Sequence, residues 1–542
     1  MATTTNGPID NSLTELKAER KGLFLRSSTG LVRELRPFDA LNLVLVGIGL
    51  PIMLVQTLGF IPIFWPHANI ALAFLLSAPL SVCFALTYLY FTALIPRSGG
   101  DYVWVSRTLG PTLGFMVNFS LSFAYVTWLA FSATLNFKYI VPPFAYVVGI
   151  HWSVLANPSN NDLFIMGTVM IVATAVLMVF SVRVSAWFMA ICFVTIYVGM
   201  AMWAIAMAVG SHAGFVARWN ATSGADTVNS IIHQAQQQGF DVSGGIVWGA
   251  TLLAIFYMMT CYLGVQFPGY VAGEIKDIRR AANLSIIGGI VLTVITISGL
   301  LWLVYRYYGF EFYGSLAYMG LGEGSANSNL PTSPWLPMLM KFLPGPHIMG
   351  VFIAFCFVVN LVWWMPAGFL AVTRNVFAWS FDGLAPAWMT NISERFHTPV
   401  LATVVVAAVT EFVTYLIVYQ GLGAYLMNMI VLMGAAFAVV SIAAALTPYR
   451  RPSIHADARG WAAKKWGSVP VITIVGAISA ITWAAVVVIG LKTGTGGVVG
   501  LKPMLEAAAI PVVALVWYWI AKFYRRSKGT DLSLVFNEIP PE

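Results

Sequence analysis

Charged side chains are scarce in this chain: Asp, Glu, Lys and Arg make up 9% of its 542 residues, while 59% are hydrophobic and the mean hydropathy is +0.81. Soluble domains carry about 25% charged residues. So few charges cannot cover a water-exposed surface of this size, which excludes a string of soluble domains and implies a polytopic membrane protein. Cysteine is scarce too. Cys83, Cys192, Cys261 and Cys356 each fall inside an apolar segment, which excludes a disulfide framework and a CxxC metal site and leaves them as small core residues. Signatures of metal or nucleotide chemistry are lacking as well. With no HExxH, no P-loop and seven histidines scattered through loops and ends, no enzyme, catalytic residue, metal, cofactor or direct use of ATP is expected. Residues 1–37 contain no apolar run and no small-residue cleavage site, so a signal peptide is not read and the N-terminus is expected in the cytosol.

What is present is a series of apolar runs of at least 18 residues. They fall near 38–65, 69–95, 112–137, 162–181, 186–210 and 246–272, then near 283–307, 346–376, 399–419, 422–447, 468–491 and 505–523. These predict an all-α protein with about twelve transmembrane helices. The net charge of +8 is compatible with nucleic-acid binding, but its basic residues are spread between the runs rather than gathered in a patch. With the N-terminus inside, 23 of the 29 Lys and Arg residues fall on cytoplasmic segments, including Lys17, Arg20, Lys21, Arg26, Arg33 and Arg36 of the tail; six (Lys138, Arg218, Arg306, Lys341, Lys492, Lys502) fall outside. That bias favours an even number of spans with both termini cytoplasmic. The organisation expected is a tail (1–37), five spans (38–210), an external loop (211–245), five spans (246–447), a cytoplasmic loop (448–467), two spans (468–523) and a cytoplasmic tail (524–542).

Two runs combine glycine and proline at mid-membrane depth. Val46-Gly47-Ile48-Gly49-Leu50-Pro51 interrupts the first, and Cys261-Tyr262-Leu263-Gly264-Val265-Gln266-Phe267-Pro268-Gly269 the sixth. Proline removes an amide donor, and each glycine lowers helix preference by about 1 kcal/mol. Irregular backbone at this depth is tolerated only where it lines a cavity. Spans one and six are equivalent in a chain of two five-helix halves plus two helices, and paired interruptions of that kind point to a midplane binding site.

Pro96-Arg97-Ser98-Gly99-Gly100-Asp101-Tyr102-Val103-Trp104-Val105-Ser106-Arg107, with Gly110-Pro111 and Gly114-Phe115 after it, resembles the loop between spans two and three of amino acid-polyamine-organocation (APC) permeases. Ala272 to Arg280 is similar to the family's exit from span six. Thr373-Arg374-Asn375, Asp382 to Pro386 and Phe396-His397-Thr398-Pro399 are similar to its loop between spans eight and nine. With Arg36-Pro37-Phe38-Asp39 the likeness covers roughly residues 31–420. It implies a LeuT-like fold of 5+5 inverted repeats plus two C-terminal helices, and transport of amino acids or related amines by alternating access across the plasma membrane. Several positions depart from the family pattern. Leu50-Pro51 follows Gly47-Ile48-Gly49, Gln266 stands where many members carry an acid, and span five has Thr195 or Ile196 rather than lysine. Span eight offers Asn360 in place of a Ser/Thr pair, so H+ or Na+ coupling stays open.

A half-helix N-terminus suits a carboxylate, and carbonyls freed in span six suit an ammonium. The residues expected at the substrate are therefore Gly47, Ile48 and Gly49, with Phe256, Thr260, Cys261, Gly264 and Gln266. Tyr125, Asn360, Trp364 and Glu411 are expected in gating or coupling, Glu411 because an ionisable group inside a span is costly unless used or paired. Trp128 is a further candidate for the wall. Asp101, Glu274 and Lys276 read as gate charges near the cytoplasmic surface. A polyamine or organic-cation carrier and a non-transporting sensor are the alternatives. Expected partners are the bilayer and a small solute, with no nucleic acid; the oligomeric state stays open.

Overall fold

The computed structural model describes residues 33–536, apart from 224–226, 241–246, 322–331, 394, 397, 423–427, 494–500 and 530–531. Lys17, Arg20, Lys21, Arg26 and His397 lie outside the described residues. Among the described residues, twelve helices are long and apolar enough to cross a bilayer: Pro37–Phe64, Ile70–Leu94, Pro111–Val148, Asn160–Phe180, Val182–Val209 and Trp248–Tyr270, then Ile278–Tyr308, His347–Phe381, Val400–Tyr419, Met429–Arg450, Val471–Lys492 and Met504–Ser527. They are numbered spans 1 to 12. The only sheet among the described residues is the two-stranded pairing of Lys465–Trp466 with Val469–Pro470.

Local chemistry sets the helix starts. Pro37 opens span 1 at a position whose amide has no intrahelical partner anyway, and Arg36 N–H donates to Asp39 Oδ2 at 2.8 Å. Asn69 caps span 2 by accepting from Leu72 N–H at 2.9 Å. Ser159 and Asp162 cap span 4 reciprocally, through Ser159 N–H to Asp162 Oδ2 (2.9 Å) and Asp162 N–H to Ser159 Oγ (3.2 Å).

Burial sorts the spans into centre and rim. Span 1 is 83% buried over its most apolar window, whereas span 12 is 11% buried, which puts the first at the middle and the second against lipid. Ile165, Val169, Val172 and Val176 of span 4 repeat at helical spacing and stay exposed, as a lipid-facing stripe should.

Several boundaries differ from the sequence expectation. Span 3 does not end near residue 137 but bends at Thr134, whose Oγ donates to Ala130 O at 2.7 Å, and continues to Val148 with Lys138 on its exposed side. Span 8 runs on to Phe381, so Arg374 sits inside a helix rather than in a loop. Span 12 reaches Ser527, past the expected start of the tail. The 211–245 segment holds two helices, His212–Ser223 and Thr227–Gln237. Trp219 packs on Phe342 (4.6 Å) and Phe312 (5.0 Å), and these contacts hold the first of them down.

Both interruptions exist, with a geometry of their own. Span 1 is helical over Pro37–Ile48 and again over Leu50–Phe64, with Gly49 alone between them at φ +60°. Gly49 N–H donates to Leu45 O (2.9 Å) to close the first half, and Gly49 O accepts from Met53 N–H (3.0 Å) to open the second. Span 6 is α-helical to Met258, tightens to 3-10 over Met259–Tyr262, leaves the helix at Leu263 and resumes at Phe267–Tyr270. Pro51 and Pro268 stand at the second position of the restarted helices, so they begin helices rather than kink them.

Candidate functional site

The two interruptions touch. A Cβ on Gly47 would lie 2.6 Å from Gly264 Cα, and one on Gly264 would lie 2.7 Å from Ile48 N, so glycine at both positions lets the backbones meet. Beside this crossing, spans 1, 3, 6, 8 and 10 enclose a cavity in which the space open to the centre of a water-sized sphere is about 60 Å³. One water needs about 10–15 Å³ on that measure, so a small solute is the right scale.

Of the residues expected at the site, Gly47, Ile48, Thr260, Gln266, Tyr125, Asn360 and Trp364 line this cavity, as does Trp128. Gly49, Phe256, Cys261 and Gly264 do not. Gly49 forms the break itself, Gly264 packs against Val44 and Ile48, and Cys261 turns away to Thr57 Oγ1 at 3.5 Å. Sequence reasoning missed Gln56, Ser132, Asn136 and Tyr257 on the wall. Uncharged polar residues inside apolar runs were the available signal for the first three. Gln56 Nε2 donates to Asn136 Oδ1 (3.3 Å), while Gln266 Nε2 donates to Tyr125 Oη (3.1 Å) and Gln266 Oε1 accepts from Gly264 N–H (3.0 Å). Asn360 Oδ1 is buried with no hydrogen-bond partner among the described residues. Every polar group lining the cavity is uncharged.

Packed contacts lie along the spans on either side of the cavity. Toward Trp65, Trp335 stacks on Tyr139 (4.2 Å) and meets Phe60 edge-on (5.6 Å). Toward Leu35, Arg374 grips Glu274 through Nε (2.6 Å) and Nη2 (2.8 Å), each side chain 2% exposed. Leu35 N–H donates to Glu274 O (3.0 Å) and Lys276 N–H to Leu35 O (2.9 Å), tying the entry of span 1 to the exit of span 6. Glu274 is thus a buried ion-pair partner and Lys276 an exposed residue. Asp101 is no surface charge either, being fully buried.

The family described as amino acid permease matches residues 39–521, a stretch that holds both interruptions and the whole cavity wall. This chain belongs to the amino acid permease family. It is also similar to the methylthioribose transporter of Bacillus subtilis (strain 168), 26% identical over 463 residues, covering 84% of this chain and 87% of that one. Family and relative are transporters, and the chain is a multi-pass membrane permease.

Glu411 of this permease lies away from the cavity, on span 9, where Thr168 of span 4 donates to its Oε1 at 2.5 Å. Glu411→Gln is expected to cost about 1 kcal/mol of stability and to leave uptake at the parent level. Thermal unfolding and liposome uptake check this; a lost gradient dependence would make Glu411 a coupling residue instead.

Proposed function

We propose that this permease carries a small solute of no net charge, an amino acid foremost, across the plasma membrane by alternating access, with both termini in the cytosol. The solute sits in the cavity beside the crossing of the interruptions of spans 1 and 6. The observation that carries this reading is a cavity wall rich in amide and hydroxyl groups and free of charged side chains. A zwitterion can be held there by backbone: the start of the second half of span 1 offers donors to a carboxylate, from Leu50 and Ile52 because Pro51 has none. Asn360 Oδ1 and the carbonyls freed in span 6 offer acceptors to an ammonium. A diamine would leave a second cation without a counter-charge on this wall, at a cost of several kcal/mol in a low-dielectric site.

The substrate named for the methylthioribose transporter favours a second reading, an uncharged sugar thioether, which also needs neutral donors and acceptors. Purified protein in liposomes, offered labelled amino acids, spermidine and methylthioribose under proton or sodium gradients, separates the readings. Saturable uptake of a zwitterionic amino acid is expected. Uptake of spermidine alone, or of methylthioribose alone, would overturn the amino acid reading in favour of that solute, and uptake of none would overturn both.

A further inference from the structure

A hydrogen-bonded chain leaves the cavity wall and ends on a buried acid. Gln266 Nε2 donates to Tyr125 Oη (3.1 Å), Tyr125 Oη lies 2.9 Å from Tyr270 Oη, and Tyr270 Oη donates to Asp101 Oδ2 (2.6 Å). Asp101 opens the short helix Asp101–Thr108 between spans 2 and 3, is 0% exposed, and its Oδ1 has no hydrogen-bond partner among the described residues. The titratable groups acting on it are tyrosines: Tyr88 from span 2, Tyr125 from span 3 and Tyr270 from span 6. Buried or half-buried cations of neighbouring elements have other partners. Arg107 of the same helix pairs with Asp382 at 2.7 Å, Arg374 of span 8 pairs with Glu274 at 2.6 Å, and Arg451, beyond span 10, donates to Arg107 O at 2.7 Å.

We infer that Asp101 is the proton-binding group of this permease, and that the tyrosine chain reports its charge to the substrate cavity. The direction of the hydrogen bonds gives the mechanism. An ionised Asp101 accepts from Tyr270, which leaves the Tyr270 oxygen to accept from Tyr125, and the Tyr125 oxygen to accept from Gln266. The Gln266 carbonyl is then held on Gly264 N–H at 3.0 Å. When a proton from water adds to the carboxylate, one O–H bond forms and the neutral acid becomes a donor to Tyr270. Each hydroxyl turns in sequence, Tyr125 points its proton at Gln266, and the amide must rotate to accept it. That rotation puts Oε1 on Tyr125 and turns Nε2, a donor, toward Gly264 N–H, so the break in span 6 at the cavity wall loses the acceptor that held it. Proton loss reverses every step with no other bond made or broken. Burial pushes the Asp101 carboxyl up to about 6, against the hydrogen bond from Tyr270 that pulls it down. A carboxyl titrating there changes charge across the range in which cells hold proton gradients. Coupling of this kind changes solute affinity typically by about 5- to 150-fold.

The inference rests on the permease reading, and the test has one arm independent of any solute. Infrared difference spectra of the purified protein between about pH 4 and about pH 8 should show a protonated-carboxyl band that is absent in Asp101→Asn. In liposomes with an internal pH dye and a labelled amino acid or methylthioribose, Asp101→Asn should equilibrate the solute without accumulating it under a proton gradient. Tyr125→Phe should keep the carboxyl band and lose accumulation by about tenfold or more. Tyr270→Phe, which keeps the acid and removes its donor, should move the midpoint of the band to higher pH. Gradient-driven accumulation by Asp101→Asn at the parent level overturns the inference, as does a carboxyl band unchanged in Asp101→Asn or an unmoved midpoint in Tyr270→Phe. Failure of every solute in the panel would fall on the functional reading alone, because the infrared arm uses none.

Discussion

Gly264→Ala is expected to lower uptake about 100-fold, the cost of an ångström-scale misplacement in a pre-organised site. The added methyl would collide with Val44 O and lie 2.7 Å from Ile48 N, both backbone atoms that cannot rotate aside. Relief requires spans 1 and 6 to separate, which shifts the two interruptions relative to each other and to the cavity beside them. Gly249→Ala, on the same span with nothing within 4 Å of the added methyl, is the control and should transport at the parent level. Uptake by the two variants in liposomes, normalised to folded protein by size-exclusion chromatography, decides the point. Parent-level uptake by Gly264→Ala would mean that the crossing of the interruptions does not set the site.

Much of this crossing was legible in the sequence because it arises from local backbone chemistry. Gly47, Gly49 and Gly264 mark where a helix cannot be ordinary, and twelve apolar runs mark where helices must be. The roles of the prolines were not legible. Pro51 and Pro268 read as breakers, but proline suits a restarting helix as well as it ends a running one, and only the position of the αL glycine or the 3-10 turn tells these apart. The wall was legible only where a residue sits beside a break. Gln56 and Asn136 meet across 80 residues of chain, and no pattern within either run says that these two faces converge. In span 6 the tightened 3-10 turn leaves Thr260 on the cavity and rolls its neighbour Cys261 toward Thr57. The burial of Asp101 was hidden for a related reason: it read as a gate charge in a connecting segment, and only the packing of spans 2, 3 and 6 encloses it.

Glu274→Gln is expected to destabilise the permease by about 3–5 kcal/mol, since it leaves the Arg374 guanidinium buried without its counter-charge. The pair joins the exit of span 6 to span 8, and the Glu274 carbonyl also receives Leu35 N–H, so one residue fastens three elements at this end of the cavity. Glu274→Leu combined with Arg374→Met removes both charges and fills the space with apolar groups, an exchange that is often neutral or stabilising for buried pairs. Thermal unfolding in detergent should therefore fall steeply for the single variant and recover for the double. Uptake separates a brace from a latch. A brace can be replaced by any well-packed contact, so the double variant would transport. A latch has to open and reseal in each cycle, and two ions that gain hydration when they part can do this, whereas an apolar plug in contact with water cannot do so at the same low cost. A stable double variant that has lost uptake is the expected result, and a stable double variant that transports at the parent rate would reduce the Glu274–Arg374 pair to a structural tie.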